Sequence, residues 1–290
     1  MNKYIILEHI DTGGDAAVFK AFDSVNDRYV VLKRYCRSED TIVPTAMLRE
    51  VSVLGKLKGK QGKQGGCHYI IKLFEVTSDA NYFYLVLEFS GETILDAIRN
   101  GEVQSVSEKQ KITVELVECI NYLHSIGYVH GDINLKNVLF NNHSRSIKLI
   151  DFCSAIRFHR KDIVYRPMIY VCPYELVNNK PVNLKSLDIW MLGCVCYFVV
   201  TGNPLFLSWD QDTHIKSIDD MLDVSKPFDA IKGSSNNYIK KMLSINPFKR
   251  GTIKEVVKAN GDVYKKFGIV PCDATAVEDV VGHMVGINSG

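Results

Sequence analysis

Three side chains in one central stretch have the types and spacing to share a reaction. Asp132 and Asn137 lie in H-G-D-I-N-L-K-N-V-L-F, and a second carboxylate, Asp151, follows a polar turn and the apolar run I-K-L-I. Phosphoryl transfer calls for an acid that can receive the proton of an attacking hydroxyl. It also calls for hard oxygen ligands for Mg2+ bridging the phosphates of ATP. Asp132 suits the first task, and Asn137 and Asp151 suit the second, provided that two neighbouring loops carry them to one place.

The elements that would position them can be read on either side. Residues 4–10, 17–23 and 29–34 are β-rich runs separated by Gly/Asp and Asn/Asp turns, the pattern of an antiparallel meander. Residues 44–58, P-T-A-M-L-R-E-V-S-V-L-G-K-L-K, open on a proline and repeat apolar side chains at 47, 51, 54 and 57, which predicts an amphipathic helix. The low-complexity stretch 59–66, G-K-Q-G-K-Q-G-G, reads as solvated linker. Two further strands are expected at 70–77 and 82–88. A helix over 107–126, apolar at 112, 116, 120 and 123, then delivers the chain to His130, which reads as a core residue packed under Phe152.

Composition narrows the function classes. With 290 residues and 46% hydrophobic content the chain can bury a full core. A net charge of +2 from 35 basic and 33 acidic residues gives no bulk electrostatic case for nucleic acid or membrane. The N-terminal residues lack a long apolar segment, and the longest apolar run, 189–200, is read as too short to span a bilayer. Eight cysteines lie scattered without a C-x-x-C pair, mostly among apolar neighbours, as reduced core residues do. A reducing compartment, cytoplasmic or nuclear, is the expectation.

The central stretch resembles the catalytic loop and metal-binding D-F-G turn of eukaryotic protein kinases. His130-Gly131-Asp132 stands for H-R-D and Asp151-Phe152-Cys153 for D-F-G. The resemblance runs over about residues 4–259. It implies an α+β bilobal kinase fold, with a small antiparallel β-sheet and one helix in an N-lobe (1–89). A larger, mainly α-helical C-lobe (90–259) and a C-terminal tail (260–290) would follow. Lys33, ending V-V-L-K, would pair with the ATP phosphates and with Glu50. The segment P-T-A-M-L-R-E resembles the P-S-T-A-I-R-E helix of cyclin-dependent kinases, which implies a cyclin-like activator at 44–58. Nucleotide would lie against Ile10, Gly13, Val18, Val31, Lys33, Leu87, Glu88, Ser90 and Leu139, with the adenine on the backbone of Glu88 and Ser90. Asn137 and Asp151 would hold Mg2+, and protein serine/threonine hydroxyls would be the acceptors. Glu175 is expected to pair with Arg250, and Asp188 to anchor the catalytic-loop backbone.

Several positions depart from the family pattern. In D-T-G-G-D-A-A-V only Gly13 keeps the register of the glycine loop, and Asp15 adds negative charge there. Val31 stands where the family has alanine, Gly131 where it has arginine, and Asn134 where it has lysine. Lys136, four residues after Asp132, offers a replacement cation. Cys153 replaces a glycine and is expected to restrict the turn at Asp151. Residues 152–174 contain no threonine and one serine, Ser154, which implies a loop held without phosphorylation, with Asp162 near Arg49 or Arg157. The same departures support a second reading, a pseudokinase or scaffold that binds a protein partner through the 44–58 helix. Residues 274–285 are read as a short docking helix.

Overall fold

Alternation along the third strand divides the first part of the molecule into two faces. The computed structural model describes residues 3–37, 43–58, 67–158, 168, 171–178, 182–207, 210–223, 231 and 235–272. Strands β1 (Tyr4–Thr12), β2 (Ala17–Asp23), β3 (Arg28–Cys36), β4 (Leu73–Ser78) and β5 (Tyr82–Glu88) form one antiparallel sheet in the order β1-β2-β3-β5-β4. Val30 and Leu32 point to one side, into a small core with Tyr4, Ala21, Tyr84 and Val86. Val31, Lys33 and Tyr35, offset by one residue, point to the other, as the two-residue period requires. On that side lies helix α1 (Thr45–Lys58), whose Met47, Val53, Leu54 and Leu57 are buried, while Leu48 is exposed.

The chain then builds a larger helical part. A short strand β6 (Glu92–Thr93) leads into α2 (Ile94–Arg99) and α3 (Val106–Ser125), followed by β7 (Tyr128–Val129) and a 3-10 turn over Leu135–Asn137. Strands β8 (Val138–Asn141) and β9 (Ser146–Leu149) form a three-stranded sheet with β6, and β10 (Ile156–Arg157) pairs with β7. Helices α4 (Tyr174–Val177), α5 (Leu184–Thr201), α6 (Gln211–Asp223), α7 (Ser235–Met242), α8 (Ile253–Ala259) and α9 (Gly261–Phe267) complete the described residues. Side-chain caps start several of these helices. Ser105 accepts from Glu108 N, Asn183 accepts from Ser186 N, and Thr252 and Glu255 form a reciprocal capping box. Backbone bonds at 67–71 tie the two parts together, with Leu149 N donating to Tyr69 O at 2.7 Å and Ile71 N to Leu149 O at 3.1 Å.

One expectation changes. Helix α5 begins at Leu184, before the apolar run read from the sequence. Its 18 residues are long and apolar enough to cross a membrane by length and composition. Yet 78% of that window is buried in the protein, with Trp190, Met191, Leu192 and Val195 in the core of the helical part, so it is a core helix. At residue 260, read as the start of the tail, a buried Asn260 is followed by α9, whose Tyr264 hydroxyl donates to Glu118 on α3 at 3.0 Å. The linker 59–66, Asp162 and the 274–285 segment lie outside the described residues.

Candidate active site

The loop that carries Asp132 is fastened from below. Asp188, fully buried on α5, accepts from the backbone amides of His130 and Gly131 at 2.9 Å each and bonds the His124 ring at 2.9 Å. His130 packs tilted against the buried Phe152 ring, centroids 4.9 Å apart, its Nε2 donating to Ile150 O at 3.1 Å and its Nδ1 accepting from Asp132 N at 3.2 Å. Gly131 takes φ +80°, a conformation in which a side chain is strained. Within the loop two amides grip Asp132. Asn134 Nδ2 donates to its Oδ1 at 3.0 Å, and Asn137 Nδ2 to its Oδ2 at 2.9 Å. Burial is the largest influence on Asp132 and, with the nearby Asp151 charge, lifts its carboxyl above the ordinary aspartate value against the pull of His130 and the two amides.

The second loop meets the first through Ile150 N, which donates to Asn137 O at 2.9 Å. Asp151 then turns with φ +62°, the left-handed region that a non-glycine residue occupies at a cost. Its Oδ1 receives Lys33 Nζ at 2.8 Å and Cys153 N at 3.3 Å. Burial works to raise the Asp151 pKa, but the Lys33 charge and these hydrogen bonds prevail and hold it at about 2. Lys33 also reaches Glu50 Oε2 at 2.9 Å and Cys153 Sγ at 3.2 Å. Although burial opposes its charge, Glu50 and Asp151 raise the Lys33 pKa well above the usual lysine value.

Metal fit follows from which oxygens remain. Asn137 uses its amide nitrogen on Asp132 and Asp151 uses Oδ1 on Lys33, so among the described residues Asn137 Oδ1 and Asp151 Oδ2 carry no hydrogen bond. Both are hard oxygen donors of the kind Mg2+ takes. Glu50, Asp151 and Cys153 also converge closely enough to hold an ion, but the Lys33 ammonium bonds all three and occupies that position as the cation.

Register shows where the residues expected to line a nucleotide lie. Val18 lies opposite Lys33, Val31 opposite Leu87, and Leu85 opposite Lys33, so these side chains share one face of the sheet above the two loops. Leu87 is buried, Val31 packs against the main core, and Leu139 on β8 is half-buried below. Ile10, half-exposed, falls in a register irregularity of β1, and Gly13 lies in an exposed turn with its amide on Ala16 O at 2.9 Å. Two residues past Glu88 comes Ser90, buried, and then Gly91 at φ +38°, where a Cβ would stand 1.8 Å from Phe140 O. Only glycine lets the chain pass β8 there.

A protein kinase domain model matches residues 4–260. The chain belongs to the protein kinase family. Among the relatives, CTD kinase subunit alpha of Schizosaccharomyces pombe is 28% identical over 226 residues, 76% of this chain and 36% of that protein. Cyclin-dependent kinase-like 2 of Rattus norvegicus is 30% identical over 214 residues, 71% of this chain and 36% of that protein. Probable serine/threonine-protein kinase MARK-A of Dictyostelium discoideum is 30% identical over 194 residues, 65% of this chain and 18% of that protein. The kinase therefore spans well under half the length of these relatives.

Within the kinase, the geometry corrects one expectation and supplies roles that the sequence left blank. Cys153 does not sit at positive φ, so the turn does not need the missing glycine there; the left-handed residue is Asp151 itself. Asn134, read as the loss of a cation, is fully buried and accepts from Lys136 N and Asn137 N while holding Asp132. Lys136 is exposed on the 3-10 turn and forms no ion pair among the described residues. Tyr35, which carries no motif, donates its hydroxyl to Glu50 at 2.8 Å. The available signal was its position two residues past Lys33, on the same face of the strand.

Proposed function

We propose that this kinase transfers the γ-phosphate of ATP to serine or threonine hydroxyls of protein substrates. Asp132 receives the proton of the attacking hydroxyl, oriented by the amides of Asn134 and Asn137. Lys33, kept charged by Glu50, faces the α- and β-phosphates, and Val18, Val31, Leu87 and Leu139 enclose the adenine. Asn137 Oδ1 and Asp151 Oδ2 are the atoms that would hold Mg2+, which would supply positive charge to offset that of the phosphates. Exposed Lys136 adds a cation beside the reacting phosphate. The observation that carries this reading is the joining of Lys33 to both Glu50 and Asp151, next to a loop whose two amides aim at Asp132.

Regulation follows the same residues. The 152–174 segment offers Ser154 as its one serine and no threonine, so activity is independent of threonine phosphorylation there. A cyclin-like activator would meet the exposed side of α1, around Leu48. Reduced, mostly buried cysteines suit a cytoplasmic or nuclear setting. Purified full chain with labelled ATP, Mg2+ and a mixed basic-protein substrate should transfer label, and Asp132→Asn should abolish it. Equal silence of both, with candidate cyclins added, would leave the scaffold reading. One observation favours that alternative: Lys33 donates to Glu50, Asp151 and Cys153 at once, so one of these bonds must give way before a phosphate is held.

A further inference from the structure

We propose that Tyr35 and Cys153 are positioning residues that hold Glu50 inward on Lys33, so that the chain assembles this ion pair by itself. The proposal rests on the kinase reading above for the task of the pair, and on the following geometry for the clamp. Glu50 is fully buried, and a carboxylate has about four acceptor positions. Its Oε2 receives Lys33 Nζ at 2.9 Å, the Tyr35 hydroxyl at 2.8 Å and the Cys153 thiol at 3.5 Å, and its Oε1 receives Phe152 N at 3.3 Å. All four donors come from the chain.

The clamp joins three elements. Tyr35 lies two residues past Lys33 on β3, Glu50 is on α1, and Cys153 lies two residues past Asp151. Tyr35 and Cys153 also touch each other, hydroxyl to sulphur, at 3.3 Å. A second tie from α1 runs beside them, Arg49 donating to Cys153 O at 3.4 Å. Burial, with the Glu50 charge next in weight, drives the Tyr35 hydroxyl to higher pKa, so the phenol keeps its proton at neutral pH and can donate. Swinging Glu50 outward would break four bonds and strand buried donors, which is unfavourable. A tyrosine kept only to fill space would not need its hydroxyl on a carboxylate, and phenylalanine would serve.

The test compares wild-type full chain with Tyr35→Phe, Cys153→Gly and Glu50→Gln. Tyr35→Phe removes one oxygen and keeps the ring, so its melting temperature should stay close to that of wild type. Its KM for ATP, and its Kd for ADP, should rise about tenfold, the effect of losing one hydrogen bond to a charged group, while KM for the protein substrate is unchanged. Cys153→Gly, losing a weaker donor, should raise the same constants about threefold. Tyr35→Phe added to Glu50→Gln should cause no further loss, because both act through one carboxylate. Amides of α1 should exchange faster with solvent in Tyr35→Phe, with or without nucleotide.

Unchanged ATP and ADP constants together with unchanged α1 exchange in Tyr35→Phe overturn the clamp. So does an equal loss for ATP and protein substrate that adds fully to Glu50→Gln. A wild-type chain that binds ADP but transfers nothing overturns the kinase reading instead. The clamp is then decided by the ADP affinities and the exchange rates.

Discussion

Two buried ion pairs in this kinase are built in opposite ways. Arg250 meets both oxygens of Glu175, Nη2 to Oε2 at 2.6 Å and Nη1 to Oε1, and places its remaining donors on Ser244 O, Ser186 and Ile245 O. Its guanidinium also lies 4.7 Å from the Trp190 ring centre, and the side chain is fully buried. The planar fork fits one arrangement. Lys33, by contrast, is a point charge divided among Glu50, Asp151 and Cys153. A lysine can exchange one acceptor for another without moving its neighbours. The first design suits a fixed tie, and the second suits a group that must let go and take hold.

That contrast can be broken or sharpened by substitution. The largest effect is expected at the fixed tie. Glu175→Ala leaves the buried Arg250 charge without its partner and should destabilise the fold by about 3–5 kcal/mol, read as a fall in the urea midpoint. Lys33→Met should lower transfer by about 100- to 1000-fold, the loss of one preorganised charge stabiliser. Its urea midpoint should fall less than that of Glu175→Ala, because Tyr35, Cys153 and Phe152 still donate to Glu50. A Lys33→Met chain as unstable as Glu175→Ala would erase the distinction. Next comes Asn134→Ala, which removes a bond to Asp132 and the cap of the 3-10 turn; kcat should drop by about tenfold with little change in KM for ATP.

The smallest effect concerns the support of the fixed tie. His214 is buried on α6 and its Nε2 bonds Cys172 O at 2.8 Å, just before Glu175. Burial depresses its pKa, against a smaller upward pull from that bond. The folded form therefore keeps the ring neutral where the unfolded form binds a proton. Stability contributed this way is intact above about pH 6.5 and declines as pH falls below it, until the depressed folded value is reached. His214→Gln should flatten that part of a melting-temperature profile, and a profile identical to wild type would show that the ring is not the group titrating.

The sequence was most legible where function is local. Asp132, Asn137 and Asp151 stand at spacings that one loop and one turn can satisfy. The strands and α1 announced themselves through periods of two and 3.6 residues. The pairing of Glu50 with Lys33 could be expected only from resemblance, since the partners lie on different elements. Tyr35 was hidden for a plainer reason, and Cys153 stood out only as a substituted glycine. A tyrosine on a strand looks like a core residue, and a cysteine in a turn like a constraint on it, until packing across β3, α1 and the second loop shows what their polar atoms touch. Asn134 misled in the other direction. Set against a lysine it reads as a missing charge, whereas its buried amide supports the loop from both sides. Helix α5 extended beyond its apolar run because Asn183 caps it several residues earlier.

The contact of α9 with α3 bears on where this domain may be cut. Glu118 is fully buried, and its carboxylate receives the Tyr264 hydroxyl at 3.0 Å and the Cys272 amide at 2.5 Å. A shortened protein ending at 260, where the family match ends, would strip both donors from an interior acid and expose the side of α3 that they cover. Excised versions of this domain should therefore keep every residue through 272.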